Sequence, residues 1–169
     1  MADRLFITAA RLREVLDYDP HTGWFTWRVM IGQRCRVDAR AGTIRKDRRI
    51  RRSINIDGRY YAEQNLAWLW MTGEWPTHEV DHRDTDATNN SWENLRPSTR
   101  AQNNQNCRRR SDNTTGVKGV HVHENGRYYA RIQVNGKRLF VGSFGTPEEA
   151  AAAIVKRRQE LHGAFCNHG

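Results

Sequence analysis

Cysteine is scarce in this chain, long apolar runs are absent, and acidic side chains are outnumbered. The three cysteines, Cys35, Cys107 and Cys166, are odd in number and far apart, with no C-x-x-C pair. Neither a disulfide framework nor a four-cysteine zinc site can be assembled from them. No run approaches the roughly 18 to 20 apolar residues a membrane span needs, and Met1-Ala2-Asp3-Arg4 lacks the basic, apolar, small-residue order of a signal peptide. A cytoplasmic protein with no membrane partner is expected. Hydrophobic residues make up only 37% of 169. Six Trp, five Tyr and five Phe nevertheless supply one modest core or two small ones, which excludes wholesale disorder.

Charge is what the chain has in excess. Its 28 Lys+Arg against 19 Asp+Glu give +9 and point to a polyanion, nucleic acid first. The excess is uneven: 14 basic against 7 acidic side chains in residues 1–60, 3 against 7 in 61–106, and 11 against 5 in 107–169. A central acidic segment between basic arms suits a metal-dependent nuclease, whose cation needs carboxylates where its substrate needs arginines. It equally suits a two-domain binder with an acidic middle.

Periodicity gives an α+β chain. Thr8 can cap a helix over 8–17, and Trp24, Phe25 and Trp27 mark a strand over 23–29. An irregular stretch to about residue 43 follows. Residues 50–56 alternate as a strand whose apolar face Arg52 interrupts, and Asp57-Gly58 signals a hairpin. The basic run 45–52, with Arg48, Arg49 and Arg51, is either a phosphate-meeting surface or a solvated face. Residues 65–71 read as a short buried helix closed by Gly73, and 99–109 as another helix. A basic linker over 108–113 separates residues 1–107 from 114–169. Beyond it, strands over 116–123, 127–134 and 137–144 precede a helix capped by Thr146 and ended at Gly163, a three-stranded antiparallel sheet on one helix. His121, His123 and Cys107 do not make a convincing metal cluster, because alternate strand residues usually face solvent or ligand together.

Asp81-His82 is trailed by Asn89, Asn90, Asn94, Asn103, Asn104 and Asn106. A histidine beside a carboxylate, with amides returned by a short helix, suits a one-cation phosphodiesterase. Asn and Asp also populate turns, so the residue types alone leave a structural reading open. The string Asp81-His82-Arg83-Asp84, Asn94-Leu95-Arg96, then Gln102-Asn103-Asn104 resembles the HNH endonucleases over about residues 60–107, particularly phage and intron-associated homing enzymes. The approach Leu66-Ala67-Trp68-Leu69-Trp70-Met71-Thr72-Gly73 is similar too. The resemblance implies a ββα-metal core with His82 as general base, Asp81 and Asn103 holding a divalent cation, and Asn94 bonding to backbone in the loop between the strands. It also implies magnesium, or manganese, and a bacterial or phage-infected cytoplasm. Where many relatives carry His, this chain has Gln64.

Residues 114–165 resemble the plant ethylene-response-factor (Apetala-type) DNA-binding domain, which also occurs fused to HNH nucleases in phages. The carrying residues are Thr115-Gly116-Val117-Lys118-Gly119-Val120, Tyr129-Ala130-Arg131-Ile132, Val141-Gly142-Ser143-Phe144 and Thr146-Pro147-Glu148-Glu149. The resemblance puts the sheet in the major groove of double-stranded DNA, with Lys118, His121, Arg127, Arg131, Gln133, Arg138 and Phe140 as the contact set. The expectation is a monomeric, metal-dependent DNA endonuclease that nicks near a recognised site and leaves a 5′ phosphate and 3′ hydroxyl. The alternative is a non-catalytic DNA-binding protein with a silent HNH fold. An RNA-binding module fits less well, since the strands lack a paired aromatic stacking signature.

Overall fold

The structure is a computed structural model and describes residues 6–32, 35–46 and 50–169. It divides into two compact units, Met1–Pro97 and Ser98–Gly169.

In the first unit Thr8 caps α1 (Ala9–Val15), its hydroxyl accepting from the Arg11 amide at 3.1 Å. The helix stops earlier than the expected residue 17. Residues 16–19 leave it as β1 (Leu16–Asp19), pairing antiparallel with β2 (Trp24–Trp27). Leu16, Tyr18, Phe25 and Trp27 alternate inward on this hairpin, so a period of two takes over where a helical period also fitted. β3 (Thr43–Lys46), β4 (Ile50–Ile56) and β5 (Arg59–Ala62) form a sheet in that order. Only β4 and β5 were expected; β3 has a polar, Gly-flanked sequence, and pairing with β4 creates it. Asp57 and Gly58 turn β4 into β5 with φ of 51° and 79°, the double positive φ a two-residue hairpin needs. α2 (Glu63–Thr72) buries Leu66, Ala67 and Leu69 and ends at Gly73 with φ 82°. β6 (Glu79–His82) and β7 (Leu95–Ser98) form a two-stranded sheet. The loop between them closes with a 3-10 turn, Trp92–Asn94.

The second unit begins with α3 (Arg100–Gln105), opened by a capping box between Thr99 and Gln102. It is shorter than the 99–109 expected. The chain turns at Asn106, whose backbone oxygen accepts from Asn167 Nδ2 at 2.9 Å. That contact and the Lys118 bonds described below fasten residues 105–107 to the C-terminal segment. The boundary between the compact units lies at 97/98. β8 (Val120–Val122), β9 (Tyr128–Val134) and β10 (Lys137–Phe144) form an antiparallel sheet, with β9 central. α4 (Pro147–His162) packs on it, capped by Thr146, and Ala150 and Ile154 meet Val120, Ala130 and Ile132 in the core. The fold is thus mixed α and β, with small sheets and a C-terminal helix on a three-stranded sheet. No helix of the described residues is long and apolar enough to cross a membrane.

Candidate active site

Asp81 and His82 end β6, and both are buried, at 4% and 7% exposure. The Asp81 carboxylate is held by Arg96 on neighbouring β7: Oδ2 accepts from Arg96 Nε at 2.9 Å and lies 2.8 Å from the second guanidinium nitrogen. Arg96 is equally buried at 6%. In such surroundings each charge is tolerated because the other is present.

The loop from 83 to 94 is tied internally. Asn94 Oδ1 accepts from the Asp84 amide at 3.0 Å, while its Nδ2 donates to Asp84 Oδ1 at 2.9 Å and to the Asn89 carbonyl at 2.8 Å. The Arg83 amide donates to the Asn94 carbonyl at 2.9 Å. Asn89, Asp86 and Thr88 add local side-chain bonds. The Asn and Asp residues of this loop therefore do turn chemistry, and that chemistry fixes the chain immediately after His82.

His82 Nε2 lies 2.9 Å from Asn90 Oδ1. Asn90, 1% exposed, donates through Nδ2 to Glu63 Oε2 at 3.1 Å. Glu63, also 1% exposed, accepts from Arg52 Nε at 3.0 Å on both oxygens. Arg52 also donates to the Ala41 carbonyl at 3.1 Å. Burial pushes the Glu63 carboxyl above its ordinary value, opposed by Arg52, Arg40 and the Asn90 amide. The Arg52 that interrupts the apolar face of β4 is thus the partner of a buried glutamate at the start of α2. This chain of four polar side chains escaped the sequence reading. Its signals were Arg52 itself and Glu63, an acid opening an otherwise apolar helix. Gln64, next to Glu63, has its Oε1 buried with no hydrogen-bond partner among the described residues.

No group of three His, Cys, Asp or Glu residues among the described residues is gathered as a metal cluster. The donors expected for a cation are a carboxylate, Asp81, and an amide oxygen, Asn103 on α3. Both are hard oxygens, which suits magnesium or manganese with water and phosphate oxygens completing the shell.

In the second unit, His121 pairs with Tyr129, Phe140 with Arg131 and Arg138 with Gln133. Directly paired antiparallel residues share a face, so all six present together, opposite the face covered by α4. His121, Arg131, Gln133, Arg138 and Phe140 are exposed, and so is Arg127 just before β9. Tyr129 organises the face. His121 stacks on it at 5.2 Å between centroids, and the Arg131 guanidinium lies 4.7 Å over its ring. This face is one wall of a cleft of about 1060 Å³ whose other lining includes Arg100, Arg108, Arg109 and Arg110.

Lys118 is placed differently. Its Nζ donates to the carbonyls of Gln105 at 3.0 Å, of Asn167 at 3.1 Å and of Cys107, and burial pushes it down to about 8. It ties three chain segments together through its ammonium. Arg158, 2% exposed, caps the same region by donating to the Lys118 carbonyl at 2.6 Å. On the first unit, Arg51 is half-buried on β4 opposite Arg45, and Arg45 lies 4.5 Å over the Tyr60 ring. Arg48 and Arg49 lie outside the described residues.

Residues 61–105 match the HNH endonuclease family. The match opens at β5, spans α2, the Asp81-His82 strand and the Asn94 loop, and closes on α3. It supports an HNH nuclease domain in this segment, a hydrolase with DNA as substrate, and the general dependence of such nucleases on divalent metal. No curated protein and no solved structure matches the chain.

Proposed function

We propose that the protein is a metal-dependent DNA endonuclease of the homing type, in which residues 61–105 cut one strand and the exposed face of β8–β10 holds double-stranded DNA. The observation that supports it most is the HNH match over the segment in which Asp81 and His82 end β6 and Asn94 ties down the following loop. His82 takes a proton from the attacking water, a role that contributes about 10²–10⁴-fold in enzymes generally. Asn94 keeps the loop closed so that His82 stays at the strand end. A divalent cation, magnesium before manganese, would be held by Asp81 and Asn103, as in the ββα-metal core that the resemblance implies, and would neutralise charge at the scissile phosphate and the departing 3′ oxygen. The product ends are a 5′ phosphate and a 3′ hydroxyl.

Sequence choice is assigned to an ethylene-response-factor-like module. His121, Arg127, Arg131, Gln133, Arg138 and Phe140 supply edge readout and backbone contact, with Tyr129 as their scaffold. Arg48, Arg49 and Arg51 extend the phosphate contact. One site in a monomer makes a nick, and the setting is a bacterial or phage-infected cytoplasm. One observation favours the alternative of a DNA-binding protein with a silent nuclease fold: the Asp81 carboxylate is already engaged by Arg96.

The deciding experiment treats supercoiled plasmid with purified protein and magnesium or manganese, with and without EDTA. Metal-dependent conversion to open circles bearing 5′ phosphates is expected. Intact plasmid in every metal, beside retained DNA binding, would establish the silent fold.

A further inference from the structure

The buried network behind His82 reaches from β4 to the base without touching the loop contacts of Asn94. Its hydrogen-bond directions are set from the Arg52 end. A guanidinium donates only, so Glu63 accepts from it on both oxygens. An ionised Glu63 can likewise only accept, so the amide nitrogen of Asn90 must face it, at 3.1 Å. The Asn90 oxygen is then the atom 2.9 Å from His82 Nε2. An amide oxygen accepts, so His82 Nε2 carries the hydrogen, and Nδ1 of the neutral ring bears the lone pair.

The rest of the unit holds Asn90 in place. The Tyr18 hydroxyl donates to its carbonyl at 2.8 Å, and the Trp92 amide donates to the Pro20 carbonyl at 2.8 Å. Gly23 approaches so closely that a Cβ there would lie 2.2 Å from the Asn90 carbonyl carbon and the Ser91 nitrogen. At Gly42 a Cβ would lie 2.2 Å from Glu63 Oε1. Tyr18, Gly23, Gly42 and Arg52 all precede the segment matched to the HNH family.

We propose that Asn90, oriented by Glu63 and Arg52, is the positioning residue that fixes the His82 ring as the Nε2–H tautomer and so presents Nδ1 as the proton acceptor. The N-terminal strands thereby complete the active site rather than merely precede it. This rests on the reading of His82 as the base of a nuclease.

The test begins with the intact protein, in long-range proton–nitrogen spectra of its histidine rings at about pH 8, where an ordinary imidazole is neutral. His82 is assigned by the signal missing from His82→Gln. A proton on Nε2 is the expected result, and a proton on Nδ1 overturns the proposal. Asn90→Ala is then expected to give a mixed tautomer signal and a cleavage rate at least about 10-fold lower, with KM for DNA unchanged. If Asn90→Ala does not fold, Glu63→Gln is read in the same way. Its amide can turn a nitrogen toward Asn90 and reverse the relay, and the ring signal is expected to move from a proton on Nε2 toward a proton on Nδ1. Wild-type cleavage matched by a folded variant overturns the positioning role and leaves the nuclease reading intact. A wild type that cleaves no DNA while His82 carries its proton on Nε2 removes the nuclease reading and not the ring geometry.

Discussion

At the scale of single residues, the site is a set of buried charges that depend on their partners. Arg96 and Asp81 are both nearly inaccessible, and removing one partner of such a pair leaves the other uncompensated. Arg96→Met is therefore expected to cost about 3–5 kcal/mol of stability, read from the shift of the urea midpoint of the intact protein. Lys118 is likewise held by its partners in the second unit. Its ammonium satisfies three carbonyls at once, so Lys118→Met leaves acceptors without a donor and should destabilise by about 1–3 kcal/mol. DNA affinity at fixed salt should change little, which separates this residue from Arg131 and Arg138. A family resemblance placed Lys118 on a DNA surface because sequence gives its position along the chain; that its Nζ turns inward depends on the C-terminal residues that fold over it.

At the scale of elements, local pattern was enough wherever one element satisfied itself. The caps at Thr8 and Thr146, the stops at Gly73 and Gly163, and the Asp57-Gly58 turn were all readable from short-range chemistry. What escaped was pairing. β1 and β3 exist because β2 and β4 lie beside them, and the relay from Arg52 to Asn90 spans residues whose contacts no periodicity announces. Gly23 holds φ 72° against the backbone of Asn90 and Ser91, so Gly23→Ala should lower stability by more than about 1 kcal/mol and depress cleavage with it. Arg11 on α1 makes a two-pronged pair with Asp57 of the β4–β5 turn, at 3.1 and 3.0 Å, which holds the Asp57 carboxyl below its ordinary value. A carboxylate whose folded pKa is lowered stabilises the fold above the unfolded value and loses that contribution as pH falls through the folded one. Thermal unfolding of Asp57→Asn should therefore fall less steeply on acidification than that of wild type.

At the scale of the whole molecule, the charge map reads as a division of labour. The acidic middle of the sequence carries the HNH match, and the basic excess lies in the stretches on either side of it, including Arg131 over the ring of Tyr129. If the exposed face of β8–β10 meets phosphates, affinity must fall steeply with salt, and Arg131→Ala or Arg138→Ala should each reduce the slope of log affinity against log salt by about 1. The central claim, that His82 activates the water that cuts DNA, is tested most directly by comparing wild type and His82→Ala on supercoiled plasmid with magnesium. Nicking by wild type that falls at least about 10²-fold in a folded variant still able to bind DNA is the expected result. Equal nicking by the two proteins would contradict it.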